Sequence, residues 1–188
     1  FERGDYQVGL NVLHAVAEAG HFAAMHELAV LLEAHNTKKS LAEAAIWYRR
    51  ASDWRGFGYS GSQNNLGNMY ETGKGLPKSA SDAIYWYTRS ALQGEPTAYL
   101  SLGSCFAKGI GVRKDPVEAY FWLKLAVREL KPVNNRAAAI KLLEGIEKLL
   151  SANQIAQTNI KIEQFRPYYQ TKLPMGDPIS NGEDETPE

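Results

Sequence analysis

The sequence has one cysteine, Cys105, and no net charge, because 21 lysines and arginines balance 21 aspartates and glutamates. A single cysteine excludes an internal disulfide and any metal site built from several thiolates. Zero net charge gives no overall field that would attract nucleic acid or an anionic membrane, so neither is expected as a partner. Apolar runs are interrupted within a few residues. Because spanning a bilayer takes roughly 20 apolar residues, no membrane insertion is expected.

The remaining composition is that of an ordinary folded domain. Of the 188 residues, 44% are hydrophobic and 22% are charged, which is enough apolar material for one continuous core. Residues 166–188 differ, since they hold four prolines and an acidic run at 183–185 without any periodicity. This composition predicts a mostly disordered tail.

Three segments of the chain repeat one another. They begin at Ser40, Ser79 and Asp115 and place Trp47, Trp86 and Trp122 at one common position. Each segment opens with a candidate N-cap residue and has an acidic residue three positions later, which is typical of a helix start. Pro116 also suits the first position of a helix. We therefore predict three helices in register, with the tryptophans forming one buried aromatic layer per repeat.

A second repeated segment precedes each of these helices. It centres on Leu28, Leu66 and Leu102, and the small residues Ala29, Gly67 and Gly103 follow. Small residues at such positions indicate close contact between two helices. In the last two copies the connection carries paired glycines, Gly73 with Gly75 and Gly109 with Gly111, which suit a left-handed helix end and a tight turn. The repeating unit is thus helix, loop, helix.

The unit divides the chain into a half unit at 1–20, repeats at about 22–54, 60–93 and 96–130, and two capping helices at 134–165. All of these belong to one predicted domain. The distance is 39 residues from Ser40 to Ser79 and 36 residues from Ser79 to Asp115. This period is typical of helical repeat proteins.

The repeated residues resemble a known family. The motif runs Leu66-Gly67-x-x-Tyr70-x-x-Gly73-x-Gly75 and then Ala83-x-x-Trp86-Tyr87, and it recurs with Leu102, Gly103, Phe106, Gly109, Gly111, Ala119 and Trp122. It is similar to the Sel-1-like repeat, a tetratricopeptide-like family. The resemblance implies an all-α, right-handed solenoid of antiparallel helix pairs with a C-terminal helical cap. It also implies an adaptor, scaffold or regulator without a cofactor, rather than an enzyme.

The opening residues, Phe1-Glu2-Arg3-Gly4-Asp5-Tyr6, are similar to the start of many bacterial members of this family, often just after an export signal. This similarity implies a protein of the bacterial periplasm or envelope, or a secreted one. A cytoplasmic location is the alternative.

In the fold that the sequence resembles, the first helix of each unit lines a concave groove. Helical phase predicts that ten residues face outward there: His26, Val30, Glu33, Asn64, Asn68, Glu71, Thr97, Leu100, Ser104 and Lys108. Asn64 and Asn68 lie one turn apart, and their carboxamides suit the backbone of an extended peptide. We therefore predict a groove for a protein or peptide partner. A solvated polar face is the alternative.

No catalytic or metal-binding motif is found. The four histidines include no pair at i and i+4, and H-E-x-x-H is absent, so no metal site is predicted. Cys105 aligns with the apolar Leu31 and Met69. This alignment favours a buried structural thiol over a nucleophile.

The first interval between repeats carries an insertion within residues 52–65. Trp54, Phe57 and Tyr59 lie in it, outside the repeat register. These aromatics are interpreted either as a contact for a partner or as loop residues that pack onto the core. Two alternative functions follow from other features: a pocket at the insertion for an enzyme or a carbohydrate-binding protein, and oligomerisation through the N-terminal edge.

Overall fold

The computed structural model describes residues 3–53, 58–131 and 135–167, with side chains from residue 8 onward, and in these ranges it contains nine α-helices and no strand. The helices are α1 (Arg3–Glu18), α2 (Phe22–Ala34), α3 (Lys38–Ser52), α4 (Ser60–Thr72), α5 (Ala80–Leu92), α6 (Pro96–Lys108), α7 (Pro116–Glu129), α8 (Arg136–Glu147) and α9 (Ala152–Gln164). The tightest packing joins α2 to α3, α4 to α5 and α6 to α7, and successive pairs stack on one another. The predicted all-α repeat solenoid is confirmed.

We call α2, α4 and α6 the first helices and α3, α5 and α7 the second helices. The helix α1 packs on α2, and both α8 and α9 pack on α7. The last two helices lie in the region for which capping helices are predicted. Trp54, Phe57 and most of the predicted tail, from residue 168 onward, lie outside the described residues.

Two of the three second helices begin where the sequence predicts. Ser79 accepts a hydrogen bond from the Asp82 backbone at 3.3 Å, and Asp115 accepts one from Val117 at 2.8 Å, ahead of Pro116. These side chains satisfy backbone N–H groups that have no partner inside the helix.

The start of α3 corrects the prediction, because its N-cap is Thr37 and not Ser40. Thr37 accepts from the Ser40 backbone at 3.1 Å, and Ser40 completes a capping box as the third helical residue. The preceding loop lacks the paired glycines, and Asn36 takes the left-handed conformation with φ of 50°. Asparagine tolerates this conformation better than most residues, so the chain turns early and α3 gains an extra turn.

Glycines set the distance between paired helices. A Cβ on Gly67 would lie 2.6 Å from the Tyr87 ring, and a Cβ on Gly103 would lie 2.6 Å from the Cγ of Leu123. No larger residue fits without moving its neighbour. The predicted helix contacts at these two glycines are confirmed.

The connections within the three pairs follow one another along one edge of the solenoid. A Cβ on Gly75 would lie 2.3 Å from the Leu41 carbonyl oxygen, at the start of α3. In the next repeat, a Cβ on Gly111 would lie 2.4 Å from the carbonyl oxygen of Ala80, at the start of α5. Each glycine-bearing loop therefore rests directly on the preceding second helix.

The core forms two clusters along the solenoid. One cluster includes Trp47, Tyr48 and Trp86, and the other includes Tyr87 and Trp122. The three repeat tryptophans are buried, with 3%, 4% and 9% of their surfaces exposed in chain order, so the predicted aromatic layer is present. Within the described residues, none of the helices combines the length and the apolar content that crossing a membrane requires.

Candidate partner-binding surface

The ten residues predicted to line a groove form what we call the first-helix face, and they differ in exposure. Val30, Asn68 and Lys108 are exposed, whereas the other seven are half-buried, namely His26, Glu33, Asn64, Glu71, Thr97, Leu100 and Ser104. Several half-buried members make hydrogen bonds inside the fold. The face is therefore a mixture of free and structurally engaged side chains.

Glu33 and Glu71 are engaged with buried tyrosines of the paired second helix. The Tyr48 hydroxyl donates to Glu33 at 2.8 Å, and the Tyr87 hydroxyl donates to Glu71 at 2.8 Å. Burial first, and the adjacent glutamate second, raise the pKa of both tyrosines above the usual range. Both hydroxyls are therefore protonated donors at neutral pH, which makes these glutamates less free than an outward position implies.

The next first helix completes each of these contacts. Asn65 donates from Nδ2 to the Tyr48 hydroxyl at 3.0 Å, and Ser101, at the equivalent position one repeat later, lies beside the Tyr87 hydroxyl and acts to lower its pKa. We call these two sets the tyrosine networks. Each network joins the two helices of one repeat to the first helix of the next. Sequence reasoning missed the roles of Asn65 and Ser101. The polar residue that directly precedes both Leu66 and Leu102 was the signal for a hydrogen bond at this position.

His26 lies in the joint between the first two repeats. Its Nδ1 is 2.9 Å from the Ser62 hydroxyl, and its ring centroid is 4.7 Å from that of Tyr59 and 5.8 Å from that of Tyr48. Burial lowers the pKa of His26, more than Glu27 and Glu95 raise it. The predicted outward role of His26 is thus corrected, because this histidine is a neutral packing residue.

Tyr59 shows how the insertion ends. Its ring also contacts Phe22, at 5.8 Å between centroids, and its backbone N–H donates to the Ala51 carbonyl at 2.9 Å. Of the two interpretations of the insertion aromatics, loop packing describes Tyr59. Trp54 and Phe57 lie outside the described residues.

The two asparagines of the first-helix face have different surroundings. Asn64 accepts a hydrogen bond from the Ser101 hydroxyl at 3.3 Å, so its oxygen is used between repeats. The exposed Asn68 side chain has no hydrogen-bond partner among the described residues. Asn68 therefore offers a free donor and a free acceptor on this face.

Two open depressions lie on the described surface. The larger, of about 500 Å³, is lined by Val30, Glu33, Ala34, Asn36 and Lys74. The smaller, of about 270 Å³, is lined by Glu118, Phe121, Lys161, Gln164 and Phe165. Both are shallow, and neither is lined by a residue of the insertion at 52–65. The larger depression adjoins the first-helix face at Val30 and Glu33.

The described residues give little support for a nucleophilic cysteine or a metal site. Cys105 is buried with 1% of its surface exposed. Burial, with a smaller contribution from Glu71, raises the pKa of its thiol to about 12. The thiol is therefore protonated at neutral pH and is a poor nucleophile. In the part of the chain that the structure describes, no three histidine, cysteine or acidic side chains are grouped as metal ligands would be.

Helix pairs joined by glycine contacts, and stacked so that one face of the first helices stays accessible, define a helical-repeat solenoid. The family model described as the Sel1 repeat matches residues 22–53, 60–95 and 96–129. This chain belongs to the Sel1 repeat family, as the resemblance of its motifs predicts.

Two curated relatives carry names that refer to regulation or to an assembly. Chitin synthase regulatory factor 3 of Schizosaccharomyces pombe is 32% identical over 140 residues, which cover 72% of this chain and 14% of that protein. The ERAD-associated E3 ubiquitin-protein ligase component HRD3B of Arabidopsis thaliana is 27% identical over 116 residues, covering 60% of this chain and 18% of that protein. The chain thus spans less than a fifth of either relative.

Two solved structures share the fold. The structure of c5321, described as a protective antigen of uropathogenic Escherichia coli strains with an SLR fold, superposes with a TM-score of 0.75 at 24% identity, covering 93% of this chain and 37% of that one. A Sel1 repeat protein from Oxalobacter formigenes superposes with a TM-score of 0.59 at 33% identity, covering 73% of this chain and 98% of that one. Both likenesses support the solenoid architecture.

Proposed function

We propose that this chain is a protein-interaction module, acting as an adaptor, scaffold or regulator, whose first-helix face holds an extended segment of a protein partner. The names of the two curated relatives, a regulatory factor and a ligase component, support a role in protein complexes. The observation that carries the surface assignment is the free carboxamide of Asn68 on the exposed side of α4.

The surroundings of Asn68 suit a bound peptide. An extended peptide carries backbone N–H and C=O groups that need partners, and one carboxamide supplies both a donor and an acceptor. Val30, 37% exposed on α2, adds an apolar contact on the same face. The tyrosine networks hold α2, α4 and α6 together, so little ordering of the module is needed when a partner binds.

Replacement of Asn68 tests this proposal. A partner purified on the wild-type chain should bind Asn68→Ala about tenfold more weakly, because two hydrogen bonds are lost at the interface. The melting temperature should not fall, since the Asn68 side chain makes no hydrogen bond among the described residues and alanine has the higher helix propensity. Calorimetric titration measures the first quantity and circular dichroism the second.

Asn153→Ala is the matched control, because Asn153 is an exposed asparagine on α9, away from the first helices. It should change neither the affinity nor the melting temperature. Equal affinity of wild type and Asn68→Ala, or a parallel fall in melting temperature, would contradict the assignment of the face.

A second candidate function, self-association of two copies through α1, is favoured by one observation. Val8, Val12 and Val16 follow one another at four-residue spacing with 64%, 57% and 38% of their surfaces exposed. In the repeat register Val12 corresponds to Trp47 and Val16 to Ala51, both of which are buried in α3. A second copy covering this stripe would bury the same positions.

Sedimentation equilibrium tests the self-association. A dimer that forms with rising concentration should disappear in Val12→Glu and persist in Val30→Glu, which changes an exposed valine of the first-helix face. A wild-type chain that stays monomeric at all concentrations would exclude it.

The bacterial envelope or secreted location stays a prediction, and the insertion pocket for an enzyme or a carbohydrate-binding protein has no observation in its favour.

A further inference from the structure

Six exposed basic side chains lie in or next to the connections between the first and second helices of the three repeats. They are Lys38, Lys39, Lys74, Lys78, Arg113 and Lys114, two at each connection. The packing of Gly75 on Leu41 and of Gly111 on Ala80 brings these connections together along one edge of the solenoid. We call these six residues the basic edge.

None of the six cations of the basic edge takes part in an ion pair within the described structure. The ion pairs found in the described residues use other cations, namely His14, Arg50, Arg89, Lys124 and Arg128. Of the nearby acids, Glu33 and Glu71 accept from buried tyrosines and Asp115 caps α7. Asp82 is exposed and Glu118 is half-buried. The six cations of the basic edge thus stay exposed and without an ion pair in the described structure, although the carboxylates beside them keep their own charge.

Helix stability does not explain these cations. Lys38 and Lys39 occupy the first two positions of α3, which has no acidic residue in its first turn. The N-terminal end of a helix carries partial positive charge, so cations are unfavourable there. Lys78 and Lys114 directly precede the N-caps of α5 and α7. These four lysines thus recur at helix starts, where the helix dipole does not favour a cation.

We infer that the basic edge binds an acidic segment of a protein partner. This inference rests on the proposed function as a protein-interaction module and names the chemistry of the partner. Complementary charge across an interface speeds association and selects among partners. The chain has six cations at three adjacent connections, so an acidic segment that crosses these connections can meet them in succession.

The surface beside the edge favours a peptide over a nucleic acid. The larger depression, which includes Lys74, also has the carboxylate of Glu33 and the carboxamide of Asn36 in its lining. The Asn36 carboxamide can pair with a peptide backbone, whereas the Glu33 carboxylate repels phosphate and acidic side chains alike. Single-stranded nucleic acids are bound by stacking on exposed aromatic rings. Among the described residues, the exposed large hydrophobic side chains include one aromatic, Tyr85, which lies in the middle of α5 and not on this edge.

The test uses a fluorescent synthetic peptide that alternates glutamate with serine and leucine, together with its counterpart in which glutamine replaces glutamate. Fluorescence anisotropy should show binding of the acidic peptide at least about tenfold tighter than that of the neutral peptide, and a weaker affinity at high salt. An oligothymidylate and vesicles containing phosphatidylserine are measured in parallel. Tighter binding of either polyanion than of the acidic peptide would overturn the inference.

Two triple variants locate the binding. Lys39→Gln/Lys74→Gln/Lys114→Gln removes one cation of the basic edge from each repeat, and Lys141→Gln/Lys148→Gln/Lys161→Gln removes three exposed lysines in and between the last two helices. The first variant should weaken the acidic peptide about tenfold, and the second less than about twofold. An equal effect of both variants, or no effect of the first, would overturn the inference.

The same assay with Asn68→Ala separates this inference from the proposed function. If Asn68→Ala weakens the acidic peptide and the edge variant does not, the protein-interaction role stands and the basic edge is excluded. If only the edge variant weakens the peptide, the basic edge is supported and the first-helix face is not where this segment binds.

Discussion

In the first two repeats, the tyrosine after the repeat tryptophan donates to a glutamate on the paired helix, Tyr48 to Glu33 and Tyr87 to Glu71. The third repeat has Leu123 and Ala107 at these positions. Leu123 is fully buried, and Ala107 packs against the same core cluster. Buried side chains thus fill the space between the paired helices in all three repeats. At these two positions they form a hydrogen bond in the first two repeats only.

A second pair of positions is also polar in the first two repeats and apolar in the third. Arg50 and Arg89, three residues after their tryptophans, bond to Glu18 and Asp53 on the preceding second-helix segment at 3.3 and 3.2 Å. The third repeat has Leu125 and Leu92 at the equivalent positions. Leu125 has no exposed surface.

The two differences lie at different joints, because the tyrosine networks are missing at the joint to α8, and the arginine ion pair is replaced at the joint between the second and third repeats. A polar network has geometry to satisfy, so it fixes how one repeat is placed on the next. The third repeat is followed by α8, which does not continue the repeat motif, and an apolar joint tolerates this change of neighbour. Burial is thus the common requirement of the fold, and the tyrosine networks set the register where repeat follows repeat.

Among variants that compare the polar joints with the apolar one, Gly67→Ala should lower the stability most. The added methyl group would lie 2.6 Å from the Tyr87 ring, and that rigid ring is held in place by Glu71. We expect the free energy of unfolding to fall by about 2 to 3 kcal/mol, as for an overpacked core. Gly103→Ala should cost about 1 kcal/mol less, because Leu123 has no hydrogen bond and can change rotamer. Urea denaturation measures both values.

Gly145→Ala is the control for these glycine variants. Gly145 lies in α8, and an added Cβ would meet no atom within 4 Å. Helix propensity alone then applies, and the variant should be more stable by up to about 1 kcal/mol. Equal losses for Gly67→Ala and Gly103→Ala would show that the tyrosine network does not stiffen its joint.

Alkaline pH should weaken the first two repeats selectively. Because burial raises the pKa of Tyr48 and Tyr87 in the folded state, the folded chain binds more protons than the unfolded chain above the ordinary tyrosine pKa of about 10. Stability therefore falls as pH rises above 10, by up to about 1.4 kcal/mol per pH unit for each tyrosine. Urea denaturation at pH 10 and at pH about 11 measures the fall.

The control for the alkaline experiment is Tyr48→Phe/Tyr87→Phe, which should lose this pH dependence. Both chains should carry Cys105→Ala, because the raised thiol pKa of about 12 contributes a fall in the same direction. An unchanged slope in the double phenylalanine variant would assign the alkaline loss to other groups.

Exchange of one polar joint for an apolar one gives a smaller effect. Tyr87→Phe leaves the half-buried Glu71 without its donor, and we expect the free energy of unfolding to fall by about 1 kcal/mol. Adding Glu71→Leu removes the orphaned carboxylate and should restore at least half of the loss. Thermal and urea denaturation measure the two variants.

Tyr85→Phe is the matched control for this exchange, since Tyr85 is 54% exposed on the same helix. Its effect should stay within about 0.5 kcal/mol. A double variant less stable than Tyr87→Phe alone would show that an apolar pair of side chains cannot replace the polar joint at these positions.

The sequence predicts the repeat architecture well because its signals occur several times. The tryptophan layer, Gly67 and Gly103 each follow from alignment of one copy with another, and the helices form where the copies predict them. The predicted start of α3 is wrong because repetition is missing there. The loop before α3 departs from the other copies and has no glycine that recurs in them. Thr37 then competes with Ser40 as the N-cap, and only the backbone path decides between them.

The first-helix face is less predictable from sequence. Helical phase shows on which side of α2 the side chains of His26 and Glu33 lie, but not how far a neighbouring repeat reaches over them. His26 meets Ser62 and Tyr59, and both belong to the next part of the chain. Such contacts depend on the rotation between repeats, which no local pattern specifies. Asn68 is not covered by a neighbouring repeat, and its exposure agrees with the outward position that helical phase predicts.

The smallest effect is expected from the ion pair between Asp53 and Arg89. The Asp53 side chain is 54% exposed and that of Arg89 is 24% exposed, so water screens their attraction. Asp53→Ala should lower the free energy of unfolding by about 0.5 kcal/mol at low salt, and the loss should vanish near 1 M salt, where the Debye length is about 3 Å. Glu129→Ala, which removes the partner of Arg128 on the exposed end of α7, is the control and should have no measurable effect at either salt concentration. A loss that persists in salt would mean that Asp53 acts through something other than its charge, and the polar joint would then depend on the tyrosine network alone.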